Sequence, residues 1–204
     1  NQKTEIMKVK YLVAIFLSYV LLSVVNVFGQ TTYYYDGSGN LNDRTNWGPN
    51  TDGTGTDPAN FTANNQIFQI RNTTSVTSSA NWTVSGTNSK IVLGDPSVAA
   101  ITLTHSGGNW NGTVDVAAAS SGTNTLVLSS TDGNTPTLGT LNSASTVQYT
   151  RGGTQTVQSN TYGNLLIGGS SGTKTAGGAI TVNGTFTINA SRILDMSTFA
   201  LSGT

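Results

Sequence analysis

The chain has no cysteine, a single histidine, and only nine basic and nine acidic residues. Without cysteine it can form neither a disulfide framework nor a thiolate metal site. With His105 as its single histidine, a site built from several histidines is excluded as well. The charged fraction is 9%, against about 25% in ordinary globular domains, and the formal net charge is zero. Such a chain offers no basic surface, so we predict no nucleic-acid partner.

In place of charge, the sequence has short apolar–polar alternations cut by glycine turns. Around the turn Asn183-Gly184, the residues Ile180, Val182, Phe186 and Ile188 would share one face of extended backbone. Strands of about three to five residues are too short for stable isolated hairpins, whereas stacked rungs bury their apolar faces against each other. We therefore predict an all-β chain folded as a right-handed parallel β-helix, or β-solenoid. The same spacing also suits an antiparallel β-sandwich, which is the alternative.

The spacing of the predicted strands indicates the length of one turn. Their centres are typically about seven to thirteen residues apart, so two or three strands make a turn of about twenty to twenty-five residues. One internal echo, Asn111–Val116 against Asn183–Ile188, spans 72 residues and suits about three turns. The predicted strands are Gln66–Ile70, Trp82–Ser85, Lys90–Leu93, Ala100–Thr104, Thr113–Val116, Thr125–Ser129, Thr137–Leu141, Thr146–Thr150, Gln155–Val157, Asn164–Ile167, Ala179–Val182, Thr185–Asn189, Ile193–Met196 and Phe199–Ser202.

The first 29 residues have the pattern of a targeting signal. A basic start at residues 7–10 precedes the apolar run Tyr11–Val25, and small residues follow. We predict a signal peptide over residues 7–29, cleaved between Gly29 and Gln30, with residues 1–6 upstream of the natural start. The alternative is a membrane anchor, but the run is short for a span. We expect a secreted or outer-surface protein with no membrane span after signal removal.

The rest of the chain divides into two predicted parts. Residues 30–65 carry Tyr33–Tyr35, Trp47 and Phe61 among turn dipeptides, which is typical of a loop-rich cap on the first rung. The alternative for this part is an aromatic carbohydrate-binding surface. Residues 66–204 carry the solenoid repeats, which we expect to be truncated at the C-terminus because Thr204 falls within the pattern.

Two local patterns resemble chemical sites, and neither is complete. His105 and Ser106 are adjacent and would point to opposite faces of a strand, so we interpret His105 as a turn residue rather than part of a Ser-His-Asp triad. The loop Asp36–Asp43 has oxygen ligands at alternate positions, but Trp47 stands where a calcium loop has its closing carboxylate. We interpret it as a turn-rich loop and predict neither a metal site nor a cofactor.

The remaining candidates for catalysis are scattered singly along the repeats, and none forms a local acidic pair. We therefore predict no catalytic residue, and the alternative is a polysaccharide-processing β-helix enzyme or a carbohydrate-binding relative of one. A third function, ice binding, follows from threonine pairs, although their irregular spacing argues against a lattice. The charged candidates are Asp115, Asp132, Asp195, Arg151, Lys174 and Arg192, and the pairs are Thr102/Thr104, Thr135/Thr137, Thr154/Thr156 and Thr185/Thr187.

Two tyrosines are candidates for contact with a ligand. If exposed, Tyr149 and Tyr162 would each offer a ring that stacks on sugars. If buried, they would be packing residues whose hydroxyls reach turn backbone. The packing interpretation is favoured because Tyr149 falls on the same alternation as the apolar Val147.

The segments Thr146–Tyr149, Gln155–Val157, Tyr162–Leu165 and Gly172–Thr175, running on into residues 180–184, resemble repeats of large secreted proteins of Bacteroidota. Those proteins are similar to β-solenoid passengers exported to the cell surface, often by type IX secretion. The resemblance implies a structural or adhesin-like role, with surface glycans or other cell-surface proteins as partners. It also implies a C-terminal sorting domain, which we expect beyond Thr204, and it transfers no catalytic residue.

Overall fold

A computed structural model describes residues 29–131 and 134–203 of the chain. The predicted signal peptide, apart from Gly29, lies outside these residues, as does Asp132. Within the described ranges the secondary structure is almost entirely β, and the one helix is a 3-10 turn at Arg44–Asn46. No helix in these ranges is both long enough and apolar enough to cross a bilayer.

Twenty short strands follow one another along the described residues. They are β1 Thr31–Tyr35, β2 Trp47–Gly48, β3 Gln66–Ile70, β4 Ser75–Ser78, β5 Trp82–Thr83, β6 Lys90–Leu93, β7 Thr102–His105, β8 Trp110–Asn111, β9 Thr113–Val116, β10 Thr125–Leu128, β11 Thr137–Leu141, β12 Thr146–Tyr149, β13 Gln155–Val157, β14 Asn160–Tyr162, β15 Asn164–Ile167, β16 Thr173–Ala176, β17 Ile180–Val182, β18 Phe186–Ile188, β19 Ile193–Asp195 and β20 Leu201–Gly203.

The strands form five sheets that run along a β-solenoid of about six turns. Sheet A has the order β11-β9-β6-β3-β1-β2, and sheet B the order β18-β15-β12-β10-β7-β4. Shorter sheets complete the turns: sheet C (β5, β8), sheet D (β13, β16, β19) and sheet E (β14, β17, β20). Among the described strands every pairing is parallel except that of β1 with β2. The β-solenoid prediction is confirmed, and the antiparallel sandwich is wrong.

On sheet B the register stays constant although the turns differ in length. Thr102 pairs with Ser75, 27 positions earlier, and with Thr125, 23 positions later. Further on, Thr146 and Asn164 pair across 18 positions. The echo between residues 111–116 and 183–188 is not a positional repeat, because β9 belongs to sheet A and β18 to sheet B. Asn-Gly-Thr leads into a strand on either sheet, which begins at Thr113 in one copy and at Phe186 in the other.

The core is a stack of inward-facing apolar ladders. Leu103, Leu126, Val147 and Leu165 are consecutive partners on sheet B, and each is at most 1% exposed. Full burial of one such side chain stabilises the fold by about 1.5–3 kcal/mol. No single rung could bury these residues, so the stack supplies the stability that isolated strands lack.

The N-terminal cap is partly a rung of its own. β1 pairs in parallel with β3, so residues 31–35 form the first strand of sheet A rather than a loop. The two-residue β2 then pairs antiparallel with β1 and ends the sheet in a short edge. Behind it, Trp47 is fully buried and lies 5.4 Å from the ring of Phe68 and 5.5 Å from that of Trp82. These buried rings close the core and leave no aromatic platform at Trp47 for sugars.

Candidate functional site

The outer face of sheet A forms a concave groove of about 350 Å³. Its walls come from two outward rows in register: Ile67 pairs with Lys90, while Gln69 pairs with Val92, which in turn pairs with Asp115. The outward residues of the two rows are partly exposed, whereas the alternate residues point into the core. Thr140 and Asn142 complete the far end of the groove. The groove thus has apolar patches among side chains that donate and accept hydrogen bonds.

An ion pair lies in the groove. Lys90 Nζ is 2.6 Å from Asp115 Oδ2, and the side chains are 36% and 14% exposed. The other oxygen of Asp115 accepts the N–H of Thr140 at 2.7 Å, where β11 shifts register between Leu138 and Leu141. A Cβ on Gly139 would collide with that same carboxylate oxygen. Glycine at this position therefore permits the irregularity that brings the β11 backbone to Asp115.

A second polar cluster borders the groove where Gln69 forms part of its wall. Arg71 Nη1 lies 3.1 Å from Asp95 Oδ2, which also accepts Gln69 Nε2 at 3.1 Å. The guanidinium carbon of Arg71 is 5.7 Å from the ring centroid of Tyr34. Partial burial raises the pKa of Asp95, but hydrogen bonds from Ser97 and the charge of Arg71 outweigh burial and hold that pKa below its usual value. These contacts fix Gln69 and Arg71 in place at the rim.

A second recess of about 470 Å³ adjoins the groove, and Lys90 lines both. Its other walls include Gln30, Asn88 and Ser89, and the amide of Gln30 donates to the carbonyl of Asn88 at 2.9 Å. The two recesses meet at Lys90 and make one continuous surface. That surface, from Gln30 to Asn142, is the candidate site, and no sequence pattern indicated it, because its residues come from separate turns.

The two candidate tyrosines lie inside the solenoid, not on its surface. Tyr149 and Tyr162 are both 0% exposed. Tyr162 donates to the carbonyl of Gln158 at 2.6 Å, its hydroxyl is 3.0 Å from that of Tyr149, and the Gln158 N–H donates to Tyr149 at 3.0 Å. Burial raises the pKa of Tyr149 to about 12. The packing interpretation is confirmed, and with no exposed ring neither residue can stack on a sugar.

His105 is a core residue, so its interpretation as a turn residue is wrong. It ends β7 with its side chain inward, is 0% exposed, and stacks on Trp110 at 5.2 Å between centroids. Nε2 lies 3.1 Å from the carbonyl of Gly108, and burial lowers the pKa of the imidazole. The strand runs one residue further than predicted, which places position 105 on the inward alternation of Leu103.

Of the six charged candidates, the five within the described residues do not meet in one groove. Asp115 lies in the groove, whereas Asp195 accepts the N–H of Ser197 in a turn at 2.8 Å. Lys174 is 0% exposed, and its ammonium donates to the carbonyls of Arg151 at 2.5 Å and Gly153 at 2.7 Å. Burial lowers the pKa of Lys174, and the nearby charges of Arg151 and Arg192 lower it further. Lys174 therefore holds a turn in place from within the core.

The loop Asp36–Asp43 is built of local turns, as predicted. The carboxylate of Asp36 accepts the N–H of Ser38 at 2.7 Å. That of Asp43 accepts the N–H of Thr45 and caps the 3-10 turn. In the described part of the chain, no three His, Cys, Asp or Glu side chains lie close enough together to hold a metal ion.

Comparison with known proteins gave no relatives. No family model matches the chain, no curated protein matches it, and no solved structure matches it.

Proposed function

We propose that this chain is a secreted or cell-surface β-solenoid module with a structural and adhesive role. The observation that carries the proposal is the continuous surface on sheet A, where two recesses meet at Lys90. At about 4.8 Å per rung, six rungs make a rod about 30 Å long, which suits a stalk that displays such a surface.

The groove chemistry favours a glycan as the partner. Gln69, Lys90 and Asn142 offer donors and acceptors for sugar hydroxyls, and Ile67 and Val92 offer apolar contact for the C–H faces of sugar rings. Asp115 neutralises Lys90, so the groove carries little net charge. A neutral or weakly charged surface glycan fits this combination better than a polyanion, and another cell-surface protein is the alternative partner.

Binding to a glycan array and to intact cells tests the adhesive role. We expect residues 30–204 to bind, and Lys90→Ala or Gln69→Ala to lose at least about tenfold in affinity, equivalent to about 1.4 kcal/mol. The matched control is Thr161→Ala, because Thr161 is exposed on sheet E, away from the groove. Equal binding by all four proteins would contradict an adhesive site in this groove.

The proposal of export rests on the basic and apolar pattern of residues 7–29, and type IX secretion from a Bacteroidota cell rests on the resemblance of the repeats. Mass spectrometry of secreted protein tests the first point. We expect the mature N-terminus at Gln30, and a mature protein that still begins at Met7 would make residues 11–25 an anchor.

A polysaccharide-processing enzyme is the alternative, and the pair Lys90–Asp115 is the observation in its favour. General acid–base catalysis needs a group free to exchange a proton with substrate. Asp115 instead accepts from both Lys90 and Thr140. We therefore expect no reducing ends to appear when the protein is incubated with polysaccharides. Cleavage that Asp115→Asn abolishes would establish the enzyme.

A further inference from the structure

The outer face of sheet B carries hydroxyl groups in two aligned rows. In one row, Ser75, Thr102, Thr125 and Thr146 are consecutive partners across β4, β7, β10 and β12. In the other, Thr77 pairs with Thr104, and Thr104 with Val127. We call these seven residues the hydroxyl face. Each alternates along its strand with an inward residue such as Leu103 or Leu126.

The hydroxyl face is periodic in two directions. Partners on parallel neighbouring strands are about 4.8 Å apart, and residues two apart on one strand are about 6.6 Å apart. The steps in sequence are irregular, at 27, 23 and 21 positions along the first row. Loops of different length absorb that irregularity, so the spacing of threonine pairs in the sequence is no measure of their spacing in space. The objection drawn from the spacing of the four threonine pairs therefore does not apply to this face, which contains only the pair Thr102/Thr104.

The chemistry of the face restricts what it can bind. Within the described strands, no outward residue of sheet B is charged. The outward residues of this sheet that do not belong to the hydroxyl face are Gln148, Asn164, Leu166 and Thr187. None of them is aromatic either. An ionic ligand would find no counter-charge, and a sugar ring would find no aromatic platform.

Three hydroxyls of the face have no partner among the described residues, and the two on β7 are held in fixed positions. Those of Thr77, Thr102 and Thr104 make no hydrogen bond to any other residue that the structure describes, whereas Thr125 donates to the carbonyl of Thr123 at 3.3 Å. β7 is hydrogen-bonded on both sides, and the residues behind it are fully buried. The β-branched side chains have few rotamers, so little entropy is lost when the hydroxyls are engaged.

We propose that the hydroxyl face binds ice. An ice surface is an uncharged, periodic array of donors and acceptors, and a rigid array of hydroxyls and methyls can engage many of its sites at once. Each contact is weak, so the binding depends on register, which the parallel stack supplies. This function uses a different sheet from the adhesive groove and is independent of it.

Inhibition of ice recrystallisation and thermal hysteresis, measured on residues 30–204, test the proposal. We expect activity in the unmodified protein and a loss of at least tenfold in Thr102→Tyr and Thr104→Tyr, whose outward rings would break the array. The matched control is Thr156→Tyr, because Thr156 belongs to the pair Thr154/Thr156 and is exposed on sheet D. Circular dichroism and melting curves would show that all variants are folded.

Three outcomes would overturn the proposal. They are an inactive unmodified protein, variants at positions 102 and 104 as active as the control, and binding to insoluble neutral polysaccharide that depends on Thr104 without any effect on ice. Lys90→Ala separates the two proposals: it should leave the ice assays unchanged while it lowers glycan binding.

Discussion

A closed ring of hydrogen bonds in the core makes the effect of removing a single oxygen predictable. Tyr162 donates to the Gln158 carbonyl, which leaves Tyr149 to donate to Tyr162, and Tyr149 accepts the N–H of Gln158. Both rings are 0% exposed, so water cannot replace a missing partner. Tyr149→Phe keeps the ring and its packing but deprives the Gln158 N–H of its acceptor.

The magnitude follows from burial. A buried donor left without a partner costs about 1–3 kcal/mol, so we expect Tyr149→Phe to lower the free energy of unfolding by about 2 kcal/mol. Tyr149→Ala also removes the ring and should cost about 4 kcal/mol. In the double variant with Tyr162→Phe, the loss should differ from the sum of the single losses by about 1 kcal/mol, because the two hydroxyls bond each other.

Urea unfolding of Tyr149→Phe, Tyr149→Ala, Tyr162→Phe and the double variant measures these values, and Tyr34→Phe is the control. Tyr34 is on the outer face of sheet A, and its hydroxyl makes no hydrogen bond within the described part of the chain, so the change should stay within about 0.5 kcal/mol. A Tyr149→Phe variant as stable as Tyr34→Phe would refute the ring of hydrogen bonds. It would show that the hydrogen bond from the Gln158 N–H to the Tyr149 hydroxyl contributes no stability.

Three further measurements test other parts of the structure. Phe186→Asp should lower stability by about 2 kcal/mol because Phe186 packs against the core, whereas Thr187→Asp should be near neutral; equal melting temperatures would contradict the assignment of faces. Burial lowers the pKa of His105, so on acidification the unfolded chain binds a proton before the folded chain does. The free energy of unfolding should therefore fall as the pH drops below about 6.5, and His105→Leu should remove this contribution to its pH dependence. A chelator should leave the melting temperature unchanged, because the carboxylates of Asp36 and Asp43 are engaged in local turns; a fall of many degrees would indicate a bound metal.

Strands with clear alternation could be predicted from the sequence, and a strand with a lysine in its interior could not. The observed bounds of β3 and β6 are the predicted ones. Their inward residues are branched or aromatic, apart from Gln66 at the start of β3. β16, Thr173–Ala176, was missed because its inward residues are Lys174 and Ala176, and a lysine does not mark an inward face. The ammonium group of Lys174 can be buried because it donates hydrogen bonds to backbone carbonyls of the preceding turn.

The sequence named Asp115 and the pair Thr102/Thr104, but the assembly of the two candidate sites could not be predicted, for a different reason. Asp115 meets Lys90 across 25 positions, and Thr104 meets Thr77 across 27. One sequence contains the residues of each rung but not the register between rungs, because loop lengths vary from turn to turn. The groove and the hydroxyl face both depend on that register, so each became visible only when the strands were stacked.

A disulfide cross-link tests the register most directly, since the native chain has no cysteine to interfere. Thr104 and Val127 are partners on adjacent parallel strands, with Cα atoms about 4.8 Å apart, within reach of a disulfide. Thr102 and Val127 lie on a diagonal of about 8 Å, beyond that reach. We expect the double variant Thr104→Cys/Val127→Cys to oxidise rapidly to an intramolecular disulfide, and Thr102→Cys/Val127→Cys to remain reduced under the same conditions. The opposite result, with the diagonal pair cross-linked and the partner pair reduced, would contradict the parallel register on which the groove and the hydroxyl face both depend.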